Sequence, residues 1–528
     1  MTAMKKSAGS PPAPAAGGGS PADAHAIRMR LRKARDKSGE WRVKSEDKRI
    51  VWTPQPRQAA FMARPEWEAF YGGAAGGGKS DVLVVEALRQ IAIPWYKGII
   101  FRKTYRQLGE LLDKADRYYP RAVPGAKYNS VQSCWKFPSG AKIYFAGMQY
   151  TKDREKWQGW QFDYIAFDEL THFLYDEYSY LFSRNRPSGP GTRAYIRATG
   201  NPGGIGHGWV KQRFITVAPP MHPVKRRVEW VDKQGEKHTD WRYRIFVPAR
   251  LEDNRALEEN APEYRLNLSM LPEKERTALL EGNWDSFSGQ VFTEWRNDGE
   301  HYSDHKWTHV VEPFLIPKHW RILMGYDWGY SKPFACGWYA IDEQGKMYMI
   351  RELYGCTGDP DVGVQWSVDK TAEKIREIEK EDPNLQDKRI ERIADPAIFQ
   401  KNSEGSIAEL FERNHVYFTR GDHERIAGKM QLHYRLQFDE IGEPMFQVFS
   451  SCTNFIRTLP GLVYSDTDVE DVDTRQEDHL YDQCRYVCMK RRITPKAVKP
   501  EELPKADPLN MWADKQKEKF TPKFYGYS

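Results

Sequence analysis

Residues 71–88 read YGGAAGGGKSDVLVVEAL, and the first half of the chain is understood from this stretch. Gly73 is followed by four residues and then Gly78-Lys79-Ser80, the spacing of a phosphate-binding loop. Glycines at 73, 76, 77 and 78 (Gly73, Gly76, Gly77, Gly78) let the backbone curl until successive N–H groups point at one anion. In that chemistry Lys79 reaches the β- and γ-phosphates of a nucleotide, and Ser80 offers its hydroxyl to Mg²⁺. The preceding EAFYG reads as a short buried strand, and DVLVVEALRQIA after the loop carries helical spacing. The anion then sits at a helix N-terminus, where unpaired amides and the dipole favour negative charge.

Working outward, strand-like and helical segments alternate from about residue 50 to 215, within an ATPase-like domain expected over 46–250. The strand candidates are EAFYG, KGIIFRKT, AKIYFAG, FDYIAFDE and RAYIRATGN. Such alternation predicts an α/β domain with a parallel sheet. One strand ends in Asp168-Glu169. A phosphate loop hydrolyses nothing by itself. It needs a carboxylate near Mg²⁺, the expected place of Asp168, and a group to polarise the attacking water, the expected place of Glu169. Another strand ends in Thr199-Gly200-Asn201-Pro202, at the edge where such sheets bind ligand. Thr199 and Asn201 are candidates to sense the γ-phosphate, although Gly-Asn-Pro is also ordinary turn chemistry. Gln58, with Gln55 behind it, is the candidate for an adenine edge, since a carboxamide both donates and accepts. A plain surface turn would read the same. Residues 216–250 predict a β-rich insertion with a hairpin at Lys233-Gln234-Gly235. Residues 251–285 read as charged and helical, within a lid or linker that runs to 314.

A second domain is expected over 315–495. RILMGYDWGY, FACGWYAID and KMYMIRELY read as an antiparallel meander, and the last helix contains EDHLYDQCRYVCMK. Three aspartates come from separate elements: Asp327 on the first strand, Asp395 ending a later one, and Asp482 on the last helix. Taken singly, each reads as a turn former or helix cap. Together they can converge on two divalent ions that clamp the attacking and leaving oxygens of a phosphodiester. All-oxygen ligation suits Mg²⁺ or Mn²⁺. Asp478 lies one helical turn before Asp482. Trp328, Lys332, Lys429, Arg435 and Arg485 could meet phosphates or stack on DNA, or equally be packed in the core.

The net charge of +7 is concentrated in residues 1–50, which hold 12 Lys/Arg against 5 Asp/Glu. Residues 1–45 are expected to form a disordered, then basic, N-terminal arm. That arm could touch nucleic acid or simply be solvated. Residues 496–528 are expected to form a loosely ordered tail. With 18 Trp and 28 Tyr, the bulk of the chain can build real cores. No apolar run approaches a membrane span, and the first residues show no apolar h-region, so secretion is not expected. The six cysteines read as reduced thiols. Cys484 and Cys488, with His479 nearby, lack the second ligand pair that a zinc site needs.

Phosphate loop, Lys156-Trp157-Gln158-Gly159, Asp168-Glu169 and Thr199-Gly200-Asn201-Pro202 follow the order found in large terminase subunits of tailed bacteriophages. The resemblance covers about residues 50–495. It implies a P-loop ATPase with a parallel sheet, followed by a nuclease domain resembling ribonuclease H with a mixed sheet. By that resemblance Lys79 and Ser80 hold phosphate and magnesium, Asp168 holds magnesium, Glu169 is catalytic, and Thr199 to Asn201 couple hydrolysis to movement. It further implies ATP and Mg²⁺ in the motor and two Mg²⁺ or Mn²⁺ ions at Asp327, Asp395 and Asp482. The implied partners are double-stranded DNA, a portal protein, a small terminase subunit and further copies in a ring, with no membrane. The implied location is the host cytoplasm, at the portal vertex of the procapsid. Gln158 stands where the resemblance leads one to expect a basic residue, which leaves the arginine finger open between Arg102 and Arg154. A helicase fused to a nuclease would carry a second motor lobe with its own arginine-bearing motif, whereas residues 286–500 show acid-bearing signals instead. A catalytically silent scaffold would not need all of these side chains.

Overall fold

The computed structural model describes residues 43–44 and 50–494, apart from 255–256, 258, 260, 262, 286 and 402–404. The arm expected over 1–45 lies outside the described residues except at 43–44, and the tail expected over 496–528 lies wholly outside them.

A short pair, β1 (Val43–Lys44) and β2 (Ile50–Trp52), precedes the main sheet. That sheet is built from β3 (Glu68–Gly73), β4 (Lys97–Arg102), β5 (Lys127–Asn129), β6 (Cys134–Lys136), β7 (Lys142–Gly147), β8 (Tyr164–Phe167), β9 (Tyr195–Gly200), β10 (Val224–Val231) and β11 (Lys237–Ala249). The order across it is β10-β11-β3-β9-β8-β4-β7-β6-β5. From β11 to β7 neighbouring strands run parallel, and β10, β6 and β5 are antiparallel additions at the edges. Parallel strands covered on both faces read as unbroken apolar runs, as YIAF in β8 does. Helices α1 (Pro56–Met62), α2 (Lys79–Glu86) and α3 (Leu108–Ala122) cover one face, where Phe61, Val82, Leu83, Leu111 and Tyr119 are buried. Phe70, Phe101, Phe167 and Tyr178 fill the other face. The order β3-β9-β8 sets three carboxyl ends side by side: the glycine loop, Thr199–Asn201 and Asp168-Glu169.

The hairpin expected at 233–235 forms, closed by Asp232 and Glu236. It is not a free-standing insertion, because β11 runs on from Arg244 to Ala249 as a parallel partner of β3. The reason is compositional. The first half of β11 is polar and exposed, whereas Ile245, Val247 and Ala249 are buried. A strand that changes environment midway shows no single period in its sequence.

The second sheet is mixed. It contains β12 (Val310–Val311), β13 (Arg321–Asp327), β14 (Ala335–Ile341), β15 (Met347–Tyr354), β16 (Ile390–Ala394), β17 (Thr419–Arg420) and β18 (Phe446–Phe449), in the order β12-β18-β15-β14-β13-β16-β17. The β13-β14-β15 meander is antiparallel, while β16 runs parallel to β13 and β18 parallel to β15. In the chain, helix α4 (Val368–Glu381) lies between β15 and β16, α5 (Arg425–Leu436) between β17 and β18, and α6 (His479–Lys490) after β18. Helix α6 packs so closely on β13 that a Cβ on Gly325 would lie 2.3 Å from the Gln483 carbonyl oxygen. That approach draws α6 against the strand that ends in Asp327. The two bodies meet where Tyr175 donates to Asp359 (2.9 Å) and Arg457 to Gln212 (2.9 Å). Among the described residues no helix is long and apolar enough to cross a membrane.

Two buried polar groups tie the first body together. Glu68, at the start of β3, accepts two bonds from Arg213 (both 2.7 Å) and one from Tyr178 (2.6 Å). Removing one partner of such a pair strands a buried charge. Glu68→Ala is expected to lower the unfolding free energy in urea by about 3 kcal/mol, and a loss below about 1 kcal/mol would refute this. His207 accepts from the Gly203 N–H (3.0 Å), so its proton lies on Nε2, 3.1 Å from the Trp284 carbonyl. Burial lowers its pKa from 6.5 to about 3. Below about 6.5 the unfolded chain therefore takes up a proton that the fold refuses, and stability falls as pH drops towards 3. Burial lowers His309 to about 4, which adds to the same loss. His207→Gln is expected to flatten the decline of the urea midpoint between pH 7.5 and 5, and an unchanged slope would count against it.

Candidate functional site

The glycine loop leaves β3 and turns directly into α2. Gly73 has φ +136°, and a Cβ there would lie 2.4 Å from the Ala249 carbonyl oxygen. Gly78 has φ +66°, and a Cβ there would lie 2.3 Å from Gln58 Nε2. Both positions therefore require glycine. Lys79 is buried, with Nζ donating to the Ala74 carbonyl inside the loop. Burial lowers its pKa, and Glu169 and Asp168 oppose that shift. The segment after β11 covers the loop. Leu251, Leu257 and Tyr264 crowd Gly76, and Ala75 N–H donates to the Leu279 carbonyl (2.7 Å). Gln58 is buried beside the loop. Its Nε2 donates to the Gly78 carbonyl and its Oε1 accepts from the Gln55 N–H, both at 2.8 Å. The amide thus braces the loop.

Asp168 follows β8 and is fully buried. Thr199 donates to it at 2.6 Å, and the Ser80 hydroxyl lies 3.1 and 3.2 Å from its two oxygens. Arg102 Nη1 is 3.1 Å from the same carboxylate. Burial, then the charge of Glu169, raises the Asp168 pKa, and Arg102, Thr199 and Ser80 counter this. Glu169 holds the left-handed conformation (φ +57°), a strain that a non-glycine residue bears only where its surroundings enforce it. Its Oε2 accepts from the Asn201 N–H at 3.3 Å, and Arg102 Nη2 is 3.9 Å from its Oε1. Among the described residues Asn201 Oδ1 is buried with no hydrogen-bond partner. Of the two arginine candidates, Arg102 reaches both acids, whereas Arg154 pairs with Asp176 and lies 5.2 Å over the Tyr180 ring. Oxygen donors on Ser80 and Asp168, already in contact, are the set a hard cation takes.

In the second body, Asp327 closes β13 and Asp395 follows β16. The register pairs Tyr326 with Ala394, and Asp395 N–H donates to the Tyr326 carbonyl (2.9 Å), so the two acids leave adjacent parallel strand ends. Asp395 also accepts from the Ala397 N–H (2.9 Å), the turn-capping role that its sequence allows. On α6, Asp482 accepts from Arg425 Nη1 (3.1 Å) and Arg485 Nε (3.0 Å). His479 joins Asp327 (3.0 Å from Nδ1) to Asp361 (3.1 Å from Nε2). Burial opposes a charge on this ring, yet the bonds to Asp327 and Asp361 hold its pKa well above 6.5. Burial raises Asp327 to about 6; His479 opposes the shift, and Asp482 and Asp395 add to it. Asp478 is raised well above the usual range by burial and then by Asp482. Among the described residues no group of three or more Asp, Glu, His or Cys side chains is placed so that it could hold a metal ion. Carboxylates such as those of Asp327, Asp395 and Asp482 are the donor type that Mg²⁺ or Mn²⁺ takes.

Three cations offered by the sequence as DNA contacts belong to the interior instead. Lys429 donates to the Glu470 carbonyl beneath Tyr464, Arg435 donates to the Arg491 carbonyl, and Arg485 holds Asp482, all three buried. Lys332 is exposed and pairs with Asp361, and Trp328 is half-buried. His479, Asp361 and Arg425 went unnoticed as part of the acid site. The position of His479 between Asp478 and Asp482 was the available signal, and Arg425 offered none.

A family model described as "Terminase large subunit, T4likevirus-type, N-terminal" matches residues 70–296. No curated protein matches. Among solved structures, a large terminase from a thermophilic bacteriophage, in complex with ATP-gamma-S, is similar at 15% identity, covering 82% of this chain and 98% of that one (TM-score 0.34). The bacteriophage HK97 large terminase is similar at 9% identity, covering 87% and 99% (TM-score 0.43). The bacteriophage P22 large terminase nuclease domain is similar at 15% identity, covering 39% and 93% (TM-score 0.30). Over residues 70–296 the chain is thus similar to the N-terminal part of large terminase subunits.

Proposed function

We propose that this chain is a DNA-packaging motor with its own nuclease: ATP hydrolysis moves double-stranded DNA into a procapsid, and a second site cuts concatemeric DNA. The observation that carries the motor reading is the buried knot of Ser80, Thr199, Arg102 and Asp168 beside the glycine loop. In the proposed division, residues 46–250 form the ATPase domain, 251–314 a lid or linker, and 315–495 the nuclease domain. ATP occupies the loop formed by Gly73 and Gly76 to Gly78, with Gln58 on the nucleoside side.

Mg²⁺ at Ser80 and Asp168 would neutralise phosphate charge, and two Mg²⁺ or Mn²⁺ ions at Asp327, Asp395 and Asp482 would activate water and stabilise the leaving oxygen. The protein side chains supply the rest. Lys79 exchanges the Ala74 carbonyl for phosphate oxygens. Glu169, oriented by the Asn201 backbone, takes a proton from the attacking water. Arg102 lies where it can swing from the acids to the transferred phosphate. Thr199 and Asn201 answer to the phosphate through Asp168 and Glu169, so loss of the phosphate alters the end of β9. In the cutting site, Asp327 would be available to hold a cation only when released by His479. A motor must accept any sequence, so its DNA contacts are to shape and phosphate. The proposed partners are the portal protein, a small terminase subunit and further copies in a ring, at the portal vertex in the host cytoplasm.

Two substitutions separate the sites. Glu169→Gln is expected to lower the ATP hydrolysis rate by about 100-fold or more with nucleotide binding retained, and Lys79→Ala to lose both. Asp327→Asn is expected to abolish Mg²⁺- or Mn²⁺-dependent plasmid cleavage while ATP hydrolysis continues. Unchanged hydrolysis in Glu169→Gln, or unchanged cleavage in Asp327→Asn, would overturn the corresponding assignment.

A further inference from the structure

The ribbon made by β10 and β11 carries charge that its own fold does not neutralise. Residues directly opposite in an antiparallel pair share a face, and like charges so placed repel. On one face Arg226 stands opposite Arg242, and Arg244 lies two residues further along. The carboxylate that meets Arg226 comes from the other body. Asp359 accepts from both of its terminal nitrogens, at 2.5 and 2.7 Å. Among the described residues neither Arg242 nor Arg244 has a carboxylate within salt-bridge distance. Arg242 lies 5.3 Å over the Trp67 ring, and Arg244 donates to the Arg213 carbonyl at 2.9 Å. These guanidiniums line an open notch of about 600 Å³ between the ribbon and the loop bearing Asp359, where five arginines face three carboxylates.

The opposite face adds Lys225, Lys237 and Arg227, the last 2.9 Å from the exposed Glu229, with Trp241 and Tyr243 each 46% exposed. Guarding an edge strand takes only a lysine or two. Opposed guanidiniums and exposed rings do not serve that purpose. A guanidinium fork matches a phosphate bidentately, and a two-stranded ribbon fits the major groove of B-form DNA.

We infer that this ribbon is a contact surface for the backbone phosphates of duplex DNA, with Asp359 standing in for one phosphate at Arg226. The inference builds on the reading of the chain as a DNA-handling motor and adds a binding site to it. A phosphate that enters the notch competes with Asp359, so the carboxylate acts as an internal competitor.

The test is fluorescence anisotropy of the full chain with a labelled duplex at several salt concentrations. Arg227→Glu combined with Arg242→Glu is expected to weaken binding by about tenfold or more and to reduce the log–log salt slope by about two. Asp359→Asn is expected to tighten binding about threefold by freeing Arg226. A charge-matched control, Arg376→Glu with Lys380→Glu on α4, is expected to change affinity little. If the ribbon pair loses no more than the control, or if Asp359→Asn fails to tighten binding, the inference is overturned. Unchanged affinity throughout would overturn it in favour of an acidic protein as the ribbon's partner. Retained ATP hydrolysis shows that the ribbon variant is folded; should it fail to fold, Asp359→Asn decides alone. The Lys79 and Asp327 variants test the motor and nuclease independently, so the two readings fail separately.

Discussion

A carboxylate fully shut away from water is costly unless its lone pairs are met, and the first body is arranged around meeting those of Asp168. Ser80 comes from the first turn of α2, Thr199 from β9 and Arg102 from the end of β4, so one side chain joins the glycine loop to two strands. The parallel order β3-β9-β8 makes this possible by placing the strand ends side by side. The same arrangement couples the site to its surroundings. A ligand that draws the Ser80 hydroxyl away alters what Asp168 can offer Thr199, and Thr199 is two residues from the backbone N–H that holds Glu169.

The second site follows a related logic with different components. Asp482 and Asp395 add to the cost of ionising Asp327, and the fold answers with His479 on Asp327, while two arginines pair with Asp482. One short loop connects this site to the first body. Asp361 holds His479, and two residues earlier Asp359 is gripped by Tyr175 and Arg226. The acid site and the body carrying the glycine loop are thus joined through the two carboxylates of a single turn.

Much of this was legible in the sequence where the determining constraint is local. Glycines at 73 and 78 report close backbone approaches, and continuous apolar runs report parallel strands buried on both faces. The adjacency of Asp327 and Asp395 could be anticipated because each ends a strand. What was not legible depends on packing between distant segments. Arg102 is 66 residues from Asp168, and Arg425 is 57 from Asp482, and neither pairing leaves a local pattern. Lys429, Arg435 and Arg485 look like surface cations in composition, yet all three are buried against carbonyls or a carboxylate. The second half of β11 was hidden for a further reason: its exposed half and its buried half obey different periodicities.

The central claim is that a nucleotide site and a separate acid-lined cation site share one polypeptide. It is tested most directly by anomalous diffraction from crystals of the full chain grown with Mn²⁺ and a non-hydrolysable ATP analogue. The account predicts one manganese peak against Ser80 and Asp168 beside the triphosphate, and a second set between Asp327, Asp395 and Asp482 with His479 turned away. Manganese at the first position alone, with His479 still closed on Asp327, would contradict it.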